Sequence, residues 1–60
     1  MNKIKLIRES KGLTRTDLAK LSGVPYRTIT NWELGIRKIK DVYQIKKVAE
    51  ALETTIENLI

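Results

Sequence analysis

Apolar residues recur along most of the chain at intervals of three and four positions, which is the spacing of an amphipathic α-helix. No segment alternates apolar and polar residues over the length of a β-strand. The pattern therefore predicts an all-α fold with five short helices. The residues predicted to face the core are Ile4, Ile7, Leu18, Ala19, Leu21, Ile29, Trp32, Val42, Ile45, Val48, Ala49 and Leu52.

Capping residues and turn formers separate the predicted helices. Thr14 and Asp17 have the spacing of a capping box at the start of the second helix. Pro25 suits the first position of the third helix, because its missing N–H is not needed there. The other boundaries are assigned to Gly12, Gly35, Asp41 with Gln44, and Thr55.

Residues 15–34 carry the pattern of a helix-turn-helix motif. Ala19 is small, as required where another helix approaches its backbone closely. Gly23 can adopt the positive φ that reverses the chain tightly after a helix. Ile29 and Trp32 lie one turn apart on the following helix and can share a buried face. Together these residues predict two crossed helices.

Composition narrows the possible functions. The 60 residues predict one domain, residues 1–60, that contains neither Cys nor His. Disulfides, thiolate chemistry and the usual zinc sites are therefore excluded. The seven acidic residues are scattered, so we expect neither an enzyme nor a cofactor. No stretch approaches the roughly 18 apolar residues of a membrane span, and the N-terminus lacks a secretory signal. We expect a cytoplasmic protein.

Positive charge is concentrated in the first two thirds of the chain. The formal net charge is +5 and the pI about 9.8. Residues 1–40 contain ten Lys and Arg against three Asp and Glu, whereas residues 41–60 contain two against four. A basic region of this kind indicates a polyanionic partner, most simply nucleic acid. A role at a membrane surface is disfavoured, because the charges accompany the helix-turn-helix pattern.

The third predicted helix has one face that can pack and one that can read DNA. Trp32 shares the phase of Ile29, which favours a core position over a stacking platform for single-stranded bases. On the other half, Arg27 can donate two parallel hydrogen bonds to guanine, and Asn31 can pair with adenine in the major groove. The residues expected to contact bases are Tyr26, Arg27, Thr30 and Asn31.

Phosphate contacts are expected from two other segments. The second helix begins near Thr14 and Arg15, where free backbone N–H groups and the helix dipole favour an anion. A basic loop, residues 36–40, follows the third helix. Contacts to phosphate supply salt-dependent affinity without base information. The expected phosphate-contacting residues are Thr14, Arg15, Arg37, Lys38 and Lys40.

The order of these motifs resembles the Cro/CI-type (XRE) helix-turn-helix family of phage and bacterial regulators. The resemblance implies a compact five-helix bundle of the lambda-repressor-like type, binding to operator DNA, and usually a two-fold dimer. It also implies that Tyr26, Arg27 and Asn31 read bases, that Arg15 touches phosphate, and that Arg8 and Glu33 form a structural ion pair. The matching stretches are IKLIR (4–8), KGLT (11–14), DLA (17–19), SGV (22–24), TITNWE (28–33), Gly35, KVAEAL (47–52) and ENLI (57–60).

Several positions depart from the family pattern. The family often has Gln where Arg15 stands, and a small hydroxyl residue followed by Gln where Pro25 and Tyr26 stand. Because Tyr cannot reproduce a bidentate amide contact to adenine, the resemblance implies no base preference at Tyr26. A Gly is usual where Glu53 follows the fourth helix. The remaining departures are Leu6, where a polar residue is usual, and Lys40, where Pro is common.

The sequence thus predicts a transcriptional regulator that binds double-stranded DNA as a homodimer. We expect a repressor without a small-molecule ligand, because the chain leaves no segment for a ligand-binding domain. On the last helix, Ile56, Leu59 and Ile60 can either contact the partner copy or close the core. The alternative function is a protein-interaction adaptor or antitoxin-like module with the same fold, for which DNA binding is weak or depends on a partner.

Overall fold

Helices dominate the computed structural model, which describes residues 2–60. In chain order they are α1 (Ile4–Ser10), α2 (Arg15–Ser22), α3 (Tyr26–Glu33), α4 (Val42–Ala51) and α5 (Ile56–Leu59). Residues 2–60 contain no β-strand. The predicted all-α class with five helices is therefore confirmed.

A single apolar core joins the five helices. α2 packs against both α3 and α4, while α1 packs against α3 and α5 against α4. Ile29 and Trp32 are both buried, as the helix-turn-helix pattern predicts, and Ala19 is half-buried against the core. The other buried apolar residues are Ile4, Leu18, Val24, Ile45, Val48, Ala49, Leu52 and Leu59.

The prediction was wrong for two of the apolar residues assigned to the core. Leu21 is exposed because α2 turns the side of Leu18 and Ser22 inward, which leaves Leu21 at the rim of the buried face. Val42 is exposed because it is the first residue of α4. Side chains on a helix tilt toward its N-terminus, so that of Val42 points past the core.

The predicted start of α2 is confirmed in detail. The Asp17 N–H donates to the Thr14 hydroxyl oxygen, and the Thr14 N–H donates to the Asp17 carboxylate, both at 3.0 Å. At the end of α2, Gly23 has a left-handed φ of 74°. Pro25 differs by one position from the prediction, because it is the N-cap of α3 rather than its first helical residue.

The same backbone motif ends α1, α3 and α4. In this Schellman motif, the residue after the C-cap is left-handed, and two N–H groups donate to carbonyls of the last turn. Gly12 and Gly35 occupy the left-handed position in α1 and α3. In α4 it is occupied by Glu53 with a φ of 56°, while the Thr54 N–H donates to the Ala49 carbonyl at 2.9 Å. A Cβ is unfavourable in this conformation, so Glu53 introduces local strain.

Replacing Glu53 with Gly should stabilise the protein. We expect the free energy of unfolding to rise by about 0.5–1 kcal/mol, because relief of the left-handed Cβ outweighs the extra freedom of Gly in the unfolded chain. The corresponding rise in Tm, measured by circular dichroism, is roughly 2–8 °C for a domain of this size.

The matched control for this prediction is Glu53→Ala. It removes the carboxylate, which lies 3.6 Å from the Lys11 ammonium, but keeps the Cβ. We therefore expect no gain in Tm for this variant. Equal stabilisation by Ala and Gly would mean that the carboxylate, and not the backbone, is unfavourable.

Candidate nucleic-acid interface

α3 has a buried side and an open side, and its packing determines which residues solvent can reach. Ile29 is fully enclosed and Trp32 is almost so. On the opposite side Tyr26 and Arg27 are exposed, and Asn31 is half-buried. The packing of α3 against the core therefore determines the direction in which the residues expected to read bases face.

Thr30 is less accessible than its neighbours on α3. The residue is half-buried, and its hydroxyl oxygen is enclosed without a hydrogen-bond partner. The expected contact of Thr30 with a base is thereby restricted to carbon atoms, such as its methyl group.

An open groove of about 840 Å³ lies between one edge of α3, the loop after it and the start of α4, and Tyr26 and Thr30 are not part of its lining. We call it the basic groove. α3 and the loop after it supply four cationic side chains, and the start of α4 supplies one carboxylate, so the local charge is positive. Its polar lining includes Arg27, Asn31, Arg37, Lys38, Lys40, Asp41 and Gln44. The groove therefore brings together two residues expected to read bases with three expected to contact phosphate.

The groups along the basic groove are suited to binding rather than to chemistry. Guanidinium, ammonium and amide groups donate hydrogen bonds and attract negative charge.

Residues 2–60 bring together no group of acidic side chains that could hold a metal ion. None of the helices described over these residues is long and apolar enough to cross a membrane.

Away from the basic groove, the carboxylate of Glu33 at the end of α3 binds two arginines. It accepts hydrogen bonds from Arg8 Nε at 2.8 Å and Nη2 at 3.1 Å, and from Arg15 Nε at 2.8 Å. The Glu33 side chain is 0% exposed and that of Arg8 is 8% exposed. The Arg8–Glu33 pair implied by the family resemblance is present, and with Arg15 it links α1, α2 and α3.

Arg15 was expected at a phosphate, and its bond to Glu33 was not foreseen. No local signal could have revealed that bond, because only the crossing of α2 and α3 brings residues 15 and 33 together. The Arg15 side chain remains 24% exposed. Its guanidinium keeps further N–H donors, so a phosphate contact requires only its outer edge.

Thr14 is used as a helix cap. Its hydroxyl oxygen accepts from the Asp17 N–H, so the hydroxyl group is already engaged within the protein. The Asp17 carboxylate already occupies the N-terminus of α2, and the backbone hydrogen bond from Thr14, followed by the hydroxyl contact, lowers the pKa of Asp17. An anion approaching this helix end therefore meets a negative charge, contrary to the expectation of free N–H groups.

The candidate dimer residues on α5 do not share one environment. Of the two expected alternatives, Leu59 takes the second, because it is fully enclosed in the core and is not available to a partner copy. Ile56 is half-buried against the core, and Ile60 is exposed. The Lys3 N–H donates to the Leu59 carbonyl, which attaches α5 to the start of α1 and closes the core there.

The charges of Arg8, Arg15 and Glu33 influence one another through the Glu33 carboxylate. Burial acts to raise the pKa of Glu33, but the hydrogen bonds from Arg8 and then Arg15 outweigh burial, and the net result is a lowered pKa. The pKa of Arg15 is raised, first by its hydrogen bond to Glu33 and then by Tyr26. Glu33 and Arg15 are therefore both charged at neutral pH.

Acid should destabilise the protein through Glu33. A carboxyl group with a lower pKa in the folded state contributes stability that is fully present above its unfolded pKa, about 4.3 for Glu, and is lost as the pH falls through the folded value. We therefore expect the free energy of unfolding to decrease as the pH falls below about 5.

Titration by NMR of the side-chain carboxyl carbons tests this prediction directly. Glu33 should titrate below the value of about 4.3 that is typical of Glu in an unfolded chain. Asp17 also has a lowered pKa and therefore also makes the folded state less stable in acid. The pH dependence of the free energy of unfolding is therefore measured for Asp17→Asn as well. A Glu33 titration at or above that unfolded-chain value would contradict the prediction.

The crossed α2–α3 pair, with an accessible α3 beside a basic groove, defines the class of helix-turn-helix DNA-binding domains. The helix-turn-helix family model HTH_3 matches residues 4–59. Because the match covers nearly the whole chain, the protein belongs to this family, the Cro/CI-type helix-turn-helix family. Among curated proteins, none matches the sequence significantly.

Proposed function

We propose that the protein is a sequence-specific transcriptional regulator that binds double-stranded DNA through α3. The supporting observation is the placement of Arg27 and Asn31 in the same groove as Arg37, Lys38 and Lys40. The major groove of DNA admits an α-helix and presents a distinct pattern of donors and acceptors for each base pair. Phosphates flank it on both sides, where cations beside an inserted helix can bind them.

The two kinds of contact have different tasks in this proposal. Arg27 donates two hydrogen bonds to guanine O6 and N7, and Asn31 pairs with adenine N6 and N7. Tyr26 and the methyl group of Thr30 contact neighbouring base pairs. The cations of the loop and the outer edge of Arg15 bind phosphate, which sets the register of α3 and gives affinity that decreases with salt.

We further propose a homodimer on an operator with two-fold symmetry. Two copies of α3 would enter successive major grooves about 34–36 Å apart. One small module buries a limited interface, so a second copy is needed for high affinity. Ile60 is the exposed apolar candidate for the contact between copies. A bound dimer would repress transcription by occluding the DNA, which requires no further partner.

The alternative function is a protein-interaction adaptor or antitoxin-like module. Its support is the exposure of large apolar side chains outside the basic groove, among them Leu6, Leu21 and Tyr43. Single exposed apolar residues are common on soluble proteins, so this observation is weaker than the geometry of α3. The adaptor predicts weak DNA binding, or DNA binding only in the presence of a protein partner.

In vitro selection from random duplexes tests the proposed function, with sedimentation of the protein and its complex run in parallel. We expect an enriched palindromic sequence and two copies of the chain per duplex. The control variant is Lys46→Ala, an exposed cation on α4 outside the groove, which should select the same sequence. Absence of any enriched sequence would contradict the proposal and favour the adaptor.

A further inference from the structure

Ile36 is an aliphatic side chain that lies in solvent at the edge of the basic groove. It is 65% exposed and lines the groove together with Arg27 and Asn31. None of the expectations from sequence assigned it a role. Burial of an Ile side chain is favourable, so a ligand that fills this groove gains affinity by covering it.

The backbone motif at the end of α3 makes this exposure informative. The Ile36 N–H donates to the Asn31 carbonyl at 2.9 Å, which places Ile36 at the second position after the C-cap of a Schellman motif. An apolar residue there frequently packs back onto the last helical turn. Leu13 has the equivalent position after α1 and packs against the core. Ile36 instead lies beside the polar Asn31 and stays exposed.

The neighbours of Ile36 indicate what covers it. Arg27 and Asn31 are proposed to reach base edges, and Arg37 and Lys38 to reach phosphates. A protein partner would need an acidic surface over these cations together with an apolar group at Ile36. Duplex DNA supplies the negative charge and, in the major groove, the C5 methyl group of thymine, its one apolar substituent on a base edge.

We propose that Ile36 contacts the C5 methyl group of a thymine in the bound duplex and thereby determines part of the sequence preference. The inference rests on the proposed function, and it adds an apolar contact from the loop that follows α3. Replacing that thymine with uracil removes one methyl group. Burial of a group of this size corresponds to about a fourfold change in affinity, so we expect a roughly threefold to tenfold loss.

The experiment pairs a change in the DNA with a change in the protein. Each thymine of the selected duplex is replaced singly by deoxyuridine, and Kd is measured by fluorescence anisotropy for the wild type, Ile36→Ala and Leu34→Ala. Leu34 is the matched control, because it is also an exposed aliphatic residue but lines a separate small cavity with Asn2. The Tm of each variant verifies its folding, and Ile36→Val provides a conservative second variant.

We expect one thymine in each half-site at which uracil weakens binding of the wild type, of Ile36→Val and of Leu34→Ala, whereas Ile36→Ala binds both duplexes equally. The inference would be overturned if Ile36→Ala remained sensitive to uracil at every thymine. It would also be overturned if Ile36→Ala lost the same affinity on thymine and uracil duplexes, which would place Ile36 against a sugar. A third contrary outcome is an effect of Ile36→Ala on dimerisation alone. Failure of the proposed function is distinguishable, because no duplex would then be selected.

Discussion

Replacing Glu33 with Gln should remove a large part of the stability of the protein. The Glu33 side chain is fully buried and accepts hydrogen bonds from both Arg8 and Arg15. Without its charge, the guanidinium of Arg8 stays buried and uncompensated, which costs about 3–5 kcal/mol. Typical stability is roughly 0.05–0.15 kcal/mol per residue, or about 3–9 kcal/mol for 60 residues, so this loss is at least about a third of the free energy of unfolding.

Urea denaturation followed by far-UV circular dichroism measures this effect. Glu50→Gln is the matched control, because Glu50 is exposed on α4 and its replacement should change little. We also expect Arg8→Ala to cost more than Arg15→Ala, since Arg8 is the more deeply buried of the two. If Glu33→Gln were as stable as Glu50→Gln, the ion pairs of Glu33 with Arg8 and Arg15 would have no structural role.

Replacing Arg27 with Ala should weaken binding to the selected duplex by about 1–3 kcal/mol, or roughly fivefold to 150-fold in Kd. Arg27 is exposed on α3 and lines the basic groove, so the variant should fold normally. The physical reason for the loss is the pair of parallel hydrogen bonds that a guanidinium donates to guanine. Preference should be relaxed at one base position and retained at the others.

Lys38→Ala is the control for Arg27→Ala. Lys38 lies in the loop after α3, where we propose a phosphate contact. Its replacement should weaken binding to all sequences alike and flatten the slope of log K against log salt by about one unit. Kd values are measured against the selected duplex and its single-base variants at several salt concentrations. Identical behaviour of the two variants on every duplex would exclude α3 as the reading helix.

Features that depend on residues three or four positions apart could be predicted from the sequence. The apolar spacing located the helices, and Thr14 with Asp17 marked the start of α2. The phase of Ile29 and Trp32 placed Arg27 on the open side of α3. These features are local, because neighbouring turns of one helix determine them.

Features that depend on what covers a helix face could not be predicted in this way. An amphipathic sequence shows which side of a helix is apolar, but not how far the neighbouring helices cover that side. Leu21 and Val42 therefore remain exposed, and Leu59 is enclosed instead of available to a second copy. The backbone strain at Glu53 could likewise be recognised only from the φ angle in the structure.

By itself, the sequence determined the helices, their caps and the polar side of α3, because each is encoded within a few consecutive residues. Only the tertiary structure decided that Arg15 joins Glu33, and that Ile36 lies in one groove with Arg27 and Asn31. Those arrangements arise where helices and loops meet across the core. They depend on crossing geometry between segments distant along the chain, which no local pattern of residues encodes.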